Sequence, residues 1–266
     1  MSTHVDFFRQ LHTDGLLLLA NAWDAGSARL IESLGAPAIA TTSAGMAWAH
    51  GYADGDQLPV SRLTATVADI LRVIRVPLSI DVEGGYSDDP TVVAATVADL
   101  AEAGVAGINL EDGGGDPALL CAKIEQIKRA CAQRGTDVFV NARTDVYLRG
   151  LAPPGERVEV TLARAARYRE AGADGLFVPG ISDGAEIAAV ASQARLPLNV
   201  MLRPNLPGPD ELKSLGVRRL SAGSGLAESG LAYTQRLATA FLRDGRAPAD
   251  ESPIGYSAIN ALFADR

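Results

Sequence analysis

The stretch EAGVAGINLED, Glu102–Asp112, holds a helix end, a turn, a buried strand and an acidic strand terminus. The amphipathic run Thr91–Ala103 stops at Gly104, a residue that takes the left-handed conformation at a helix C-terminus without a Cβ penalty. A short apolar run, Gly107–Leu110, follows and ends in two carboxylates. The same order recurs at Leu34-Gly35-Ala36 before Ala38–Ala40, at Ala171-Gly172-Ala173 before Gly175–Val178, and at Leu215-Gly216-Val217 before Arg219–Ser221. Two further joints use proline, which stops a helix and tolerates the first residue of a strand. They are Arg75-Val76-Pro77 before Leu78–Ile80 and Arg195-Leu196-Pro197 before Leu198–Val200. With Leu16–Ala20 and Val138–Val140 the chain offers eight short strands.

Helical runs at Ser61–Arg72, Thr91–Ala103, Ala118–Arg134, Glu156–Ala171 and Leu226–Arg243 separate these strands. Eight β-then-α units predict an α/β fold, a (β/α)8 TIM-type barrel. A doubly wound open sheet is the competing arrangement, since strand count alone does not prove closure. The absence of GxGxxG after the first strand weakens its dinucleotide-binding version. No low-complexity linker interrupts residues 1–266, so one domain is expected, with about 1–245 forming the barrel and 246–266 a C-terminal extension. In that extension Asp244–Pro248 reads as a breaker. Ile254, Ala258, Ile259, Leu262 and Phe263 form the apolar face of an extra C-terminal helix, which packs on its own barrel or on a partner subunit.

Composition narrows the function. With 24 Lys and Arg against 32 Asp and Glu, the net charge of −8 argues against binding nucleic acid, whose phosphates are gripped by clustered cations. It argues equally against an anionic membrane surface. The start, MSTHVDFFRQLHTDG, has no basic segment followed by a long apolar one, and Leu16–Ala20 is too short to span a bilayer. A cytoplasmic location is expected. Cys121 and Cys131 lie ten apart in a predicted helix, outside any CxxC pair, and read as reduced thiols.

In a (β/α)8 barrel the C-terminal strand ends carry the active site. Here those ends hold Asn21 and Asp24, Thr42 and Ser43, Asp81 and Glu83, Glu111 and Asp112, Asn141, Arg143 and Asp145, Asn199 and Arg203, and Ser221 and Ser224. The opposite joints are Gly, Ala, Val and Pro. Carboxylates on adjacent strands repel unless a cation lies between them. Oxygen-only ligands suit Mg²⁺ first and Mn²⁺ second. The competing explanation is that these acids cap helices or pair with arginines. Arg143 at the end of the fifth strand suits bidentate capture of a substrate carboxylate, or a buried salt bridge to Asp145 or Glu111. The backbone of Ser43-Ala44-Gly45 is a candidate anion cradle, and Asn199 a further candidate for substrate binding.

At NAWDAGSARLIE (Asn21–Glu32), TTSAGMAWAHGYADGD (Thr41–Asp56), DVEGGY (Asp81–Tyr86), INLED (Ile108–Asp112) and NARTD (Asn141–Asp145) the sequence resembles the isocitrate lyase/phosphoenolpyruvate mutase superfamily. The resemblance implies a barrel whose last helix is exchanged between subunits of a homodimer or homotetramer. It also implies a Mg²⁺-dependent site for small 2-oxo or 2-hydroxy carboxylates. By that resemblance Asp81 is the direct metal ligand, with Glu83 and Glu111 acting directly or through water, and Asp54 reaches the metal's waters. Arg143 and the turn Thr42-Ser43-Ala44 take the substrate carboxylate. Asp54, Glu111 and Arg143 are thus the candidate catalytic residues.

The lyase branch follows its Glu-Asp with a mobile loop carrying a catalytic cysteine, and the mutase branch places Lys and Asn there. Here Gly113-Gly114-Gly115 runs straight into Asp116-Pro117, a helix start, so the gating loop is absent. Cys121 falls inside the helix that follows. The lyase relatives' glutamate after the sixth strand is replaced by Val178-Pro179-Gly180. The expected chemistry is C–C cleavage of a 2-oxo or 2-hydroxy di- or tricarboxylate through an enolate, by oxaloacetate decarboxylation or retro-aldol cleavage. Hydrolysis of a C–C or P–C bond, and binding of a 2-oxo acid without turnover, are the alternatives.

Overall fold

The computed structural model describes residues 3–246 and 254–264. Ala247 and Pro248 of the predicted breaker, with Pro253 and Arg266, lie outside the described residues. The elements follow in the order α1 (His4–Gln10), β1 (Leu17–Leu19), β2 (Asn21–Ala22), α2 (Ala25–Ser33), β3 (Ile39–Thr41), α3 (Ser43–Ala49), α4 (Val60–Val73) and β4 (Leu78–Asp81). Then come α5 (Pro90–Glu102), β5 (Gly107–Glu111), α6 (Pro117–Gln133), β6 (Phe139–Arg143), α7 (Arg157–Ala171), β7 (Gly175–Phe177) and α8 (Gly184–Gln193). The last are β8 (Leu198–Met201), α9 (Pro209–Ser214), β9 (Val217–Ser221), α10 (Gly225–Asp244) and α11 (Tyr256–Ala261).

All strand pairs are parallel, in the order β1-β9-β8-β7-β6-β5-β4-β3-β2. The two ends of that sheet are consecutive in the chain. The first expected strand, Leu16–Ala20, contains β1 and is followed directly by a second short strand: Leu17–Leu19 pairs with β9, and Asn21–Ala22 pairs with β3. The partner changes at Ala20, and that change wraps the sheet into a barrel. The open sheet is thereby excluded.

The punctuation works as the residue chemistry requires. Gly35, Gly104, Gly172 and Gly216 end their helices at φ of +91° to +110°. Asp89 and Asp116 accept backbone N–H bonds at the starts of α5 and α6, each followed by proline at the first helical position. One difference concerns Ser43-Ala44-Gly45, expected as a turn, which is instead the first turn of α3.

α1 closes the barrel floor. Phe8, fully buried, packs with Leu17, Leu19, Ala38, Ala40, Ala106 and Phe139, and His12 stacks on Phe139 with ring centroids 4.5 Å apart. The larger core lies between strands and surrounding helices, from Ile39, Leu78, Ile80 and Ile108 to Ile124, Ile127 and Val140. α10 leaves Leu231, Phe241 and Leu242 exposed. Beyond it Arg29 Nε donates to Leu262 O at 2.8 Å and Phe263 packs on the core, so the end of α11 rests against α2 of the same chain. No described helix is long and apolar enough to cross a membrane.

Candidate active site

Residues paired in register on parallel neighbours face the same side of the sheet. Asp81 pairs with Asn109, and Glu111 with Arg143, so all four line the inner face at the C-terminal end of β4, β5 and β6. Arg143 is the best-held group there. Its Nε and Nη2 donate to the two oxygens of Asp145 at 2.7 and 3.1 Å, and its Nη1 meets Glu111 Oε2 at 2.5 Å. The Asp145 side chain is 0% exposed, so the guanidinium is oriented by a carboxylate that cannot rotate into solvent. Burial pulls the Arg143 pKa down, but Glu111 and Asp145 outweigh it and hold it above its ordinary value.

Three carboxylates of the mouth, Asp81, Glu83 and Glu111, are pushed toward their neutral forms. Burial raises Asp81, with Arg143 and Ser43 acting the other way. Burial, together with the charges of Asp54, Asp56 and Asp81, raises Glu83 to about 7, and burial again raises Glu111 to about 8 in spite of Arg143. Glu83 sits at φ +52° and is tied on both oxygens. Oε2 accepts from the backbone N–H groups of Gly55 and Asp56, and Oε1 accepts from the Tyr86 hydroxyl at 3.1 Å. Glu83 thereby pins the loop after α3, and with it Asp54, which is exposed but close enough for its charge to act on Asp81 and Glu83.

Thr42 and Ser43 are buried at the start of α3, where the Ser43 N–H reaches Asp81 Oδ2 at 3.4 Å. Ala44 is buried in the same turn. These residues, Asp81, Glu111 and Arg143 are therefore brought to one mouth, with Glu83 and Asp54 at its rim. Asn199 is placed deeper, fully enclosed within the barrel. Among the described residues no three His, Cys, Asp or Glu side chains stand together as a ready metal cage. Asp81 is the one acid of the expected metal set not tied to an arginine or a neighbouring loop.

Asp112 does not join the other acids. Adjacent strand residues point to opposite faces, and Asp112 turns outward beneath α7. There Oδ2 accepts from Arg164 Nη1 at 2.6 Å and from the Tyr168 hydroxyl at 2.5 Å, and Oδ1 accepts from the backbone N–H of Asp145 at 3.0 Å. The residues that reading the sequence missed are the supports of the mouth: Asn109 and Arg219 within the barrel, and Arg149, whose Nε reaches Asp145 Oδ2 at 2.9 Å. A period of two, counted back from Glu111 and Ser221, marks Asn109 and Arg219 as polar residues on the inner face. The short glycine loop leaves a cavity of about 390 Å³ beside Glu111, walled by Tyr86, Asp88, Gly113, Lys123 and Arg149. Cys121, inside α6, does not line it.

A parallel barrel with buried, charge-coupled side chains at its C-terminal rim and an apolar floor is an enzyme's architecture. The family described as phosphoenolpyruvate phosphomutase matches residues 8–242. An uncharacterised protein of Mycobacterium tuberculosis H37Rv is 39% identical over 264 residues, covering 97% of this chain and 96% of that protein. The oxaloacetate decarboxylase of Paraburkholderia xenovorans is 30% identical over 226 residues, 80% of this chain and 73% of its own. A solved structure from Burkholderia cenocepacia J2315, provisionally described as a lyase/mutase, superposes with a TM-score of 0.88 at 36% identity, covering 98% of this chain and 95% of that one. The chain belongs to the phosphoenolpyruvate phosphomutase family.

Proposed function

We propose that this chain is a Mg²⁺-dependent carbon–carbon lyase acting on a small 2-oxo or 2-hydroxy di- or tricarboxylate, with oxaloacetate decarboxylation foremost. The observation that carries the reading is the inner-face pair Asp81 and Arg143: an acid whose side chain is bonded only to Ser43 among the described residues, beside an arginine locked in place by Asp145. The oxaloacetate decarboxylase likeness supports it.

The donor chemistry fits a hard cation. All the rim acids offer oxygen, and burial with mutual repulsion raises Asp81, Glu83 and Glu111 in a way that a divalent charge would relieve. Mg²⁺ keeps several waters and needs one or two direct carboxylates. Asp81 would hold it directly, and Glu83, Glu111 and Asp54 through water; Mn²⁺ would serve in the same place. When bound, the cation supplies electrophilic stabilisation of negative charge on a chelating carbonyl oxygen.

The chain's own groups do the rest. Arg143 takes a substrate carboxylate, with the N–H groups of the Ser43-Ala44 turn opposite it. On oxaloacetate the C3–C4 bond breaks, its electron pair passes to the enolate of pyruvate and CO₂ departs. A proton from water then completes C3. This sequence needs no side-chain acid on the leaving fragment, and so suits a mouth that has an open glycine loop in place of a cysteine-bearing gate. Subunit exchange of the C-terminal helix is part of the same proposal, motivated by the exposed apolar residues of α10; the contacts that α11 makes with α2 of its own chain would then be made with α2 of a partner.

Product analysis by NMR with oxaloacetate and Mg²⁺ tests the reading. Pyruvate and CO₂ are expected, and Asp81→Asn is expected to lower kcat/KM at least 100-fold. Acetate and oxalate would instead establish hydrolysis, and tight 2-oxo acid binding without product a binding protein. Calorimetry in two buffers is expected to show Mg²⁺ binding with proton release at pH 7.5, because the acids it engages are raised. A folded wild type that neither converts nor binds these acids sinks the proposal.

A further inference from the structure

Below the mouth the barrel interior is polar, where (β/α)8 barrels ordinarily stack branched aliphatic side chains. Asp81, Asn109 and Asn141 share the inner face of β4, β5 and β6, and Asn199 and Arg219 that of β8 and β9. Five side chains from four strands close a hydrogen-bonded ring. Arg219 Nη2 donates to Asn109 Oδ1 at 3.2 Å, and Asn141 Nδ2 donates to Asn109 Oδ1 at 2.9 Å and to Asn199 Oδ1 at 3.0 Å. The Ser221 hydroxyl donates to Asn199 Oδ1 and accepts from Arg219 Nε, both at 3.2 Å.

Arg219 is an expensive residue to keep there. It is 0% exposed, no carboxylate touches its nitrogens, and Nη1 is enclosed without a partner among the described residues. Burial lowers its pKa to about 9, so it is a cation at neutral pH. An aliphatic side chain would cost the core less.

What the guanidinium does is orient an amide. It has donors only, so Asn109 must turn its oxygen toward Arg219 and Asn141, and its Nδ2 must face away. That nitrogen has no partner among the described residues, yet it is not one of the enclosed unsatisfied atoms. It therefore opens on the space that Asp81, its neighbour in register, also faces.

We propose that Asn109 is a substrate-contacting residue, donating an Nδ2–H bond to a carboxylate or enolate oxygen held beside Asp81, and that Arg219 is its positioning residue. This inference rests on the carboxylate-lyase reading above. An anionic oxygen carries lone pairs only, and a flipped amide would present another oxygen to it.

Oxalate in the presence of Mg²⁺ is the probe, titrated calorimetrically into the wild type, Asn109→Asp, Asn109→Ala, Arg219→Lys and the Asn109→Ala/Arg219→Lys double variant. Asn109→Asp keeps the ring, because its carboxylate still accepts from Arg219 and Asn141. It is expected to match or exceed the wild-type melting temperature while binding oxalate at least 10-fold more weakly. Asn109→Ala is expected to weaken oxalate 10- to 100-fold, the scale of a hydrogen bond to a charged group. Arg219→Lys is expected to weaken it by less, and to add nothing in the Asn109→Ala background, since its influence runs through the amide. A purely structural Arg219 would show additive losses instead. Oxalate affinity unchanged in Asn109→Asp, or additive losses, overturns this inference alone. A folded wild type that does not bind oxalate overturns the lyase reading and this contact together.

Discussion

Asp112 sits beside a proposed site acid in sequence but anchors the scaffold, and Asp112→Asn separates the two roles. The substitution preserves volume, so no cavity term enters. The carboxylate accepts three bonds, from Arg164, Tyr168 and the backbone of Asp145, and its side chain is 0% exposed. An amide has one accepting oxygen. Turned toward Arg164 and Tyr168, it sets its NH₂ against the Asp145 N–H; turned the other way, it leaves Arg164, 15% exposed, without its counter-charge. Breaking a buried pair in this manner costs about 3–5 kcal/mol. For a chain of this size that corresponds to a melting temperature lower by roughly 6–10 °C. Calorimetric melting at pH 7.5 measures it, with Mg²⁺ titration of the folded variant alongside. Mg²⁺ affinity is expected to stay within about threefold of wild type by this reasoning. A melting point within 2 °C of wild type, or lost Mg²⁺ binding at unchanged stability, would refute the assignment of Asp112 as an anchor.

Two further outcomes follow from other parts of the barrel. His12 is lowered to about 4 by burial and then by the Arg219 cation, so the unfolded chain takes up its proton first as pH falls. That contribution is present above pH 6.5 and is lost toward pH 4, at most about 3 kcal/mol. Urea midpoints at pH 7.0, 5.5 and 4.5 are expected to fall more steeply in the wild type than in His12→Gln, and parallel curves would contradict this. Gly180 has φ +95°, and a Cβ there would lie 2.8 Å from the backbone nitrogen of Leu148. Gly180→Ala is expected to cost roughly 3 kcal/mol, whereas Gly114→Ala, with nothing within 4 Å, should cost under about 1 kcal/mol; equal denaturant midpoints would contradict the clash.

The barrel was legible because its joints are local chemistry. Gly35, Gly104, Gly172 and Gly216 end helices for a reason that involves only their own φ. Asp116-Pro117 starts one by the same kind of local rule, which is why the missing gate could be read directly. α3 was missed because Ser43-Ala44-Gly45 has no strong helical propensity; burial of Met46 and Ala47 supplies what propensity does not.

The site divides along the same line. Sequence alone sufficed to bring Asp81, Glu111 and Arg143 to the C-terminal rim, because strand direction assigns every strand end to one face. Which acids share a space was decided only in three dimensions. The pleat sends Glu111 inward and Asp112 out to Arg164, though the two are neighbours in the chain. Closure at Ala20 brings β9 back to β1, and the strand stagger sets Arg219 against Asn109, 110 residues away. A local pattern specifies the direction in which a side chain leaves its strand. What that side chain meets depends on the register of the whole barrel.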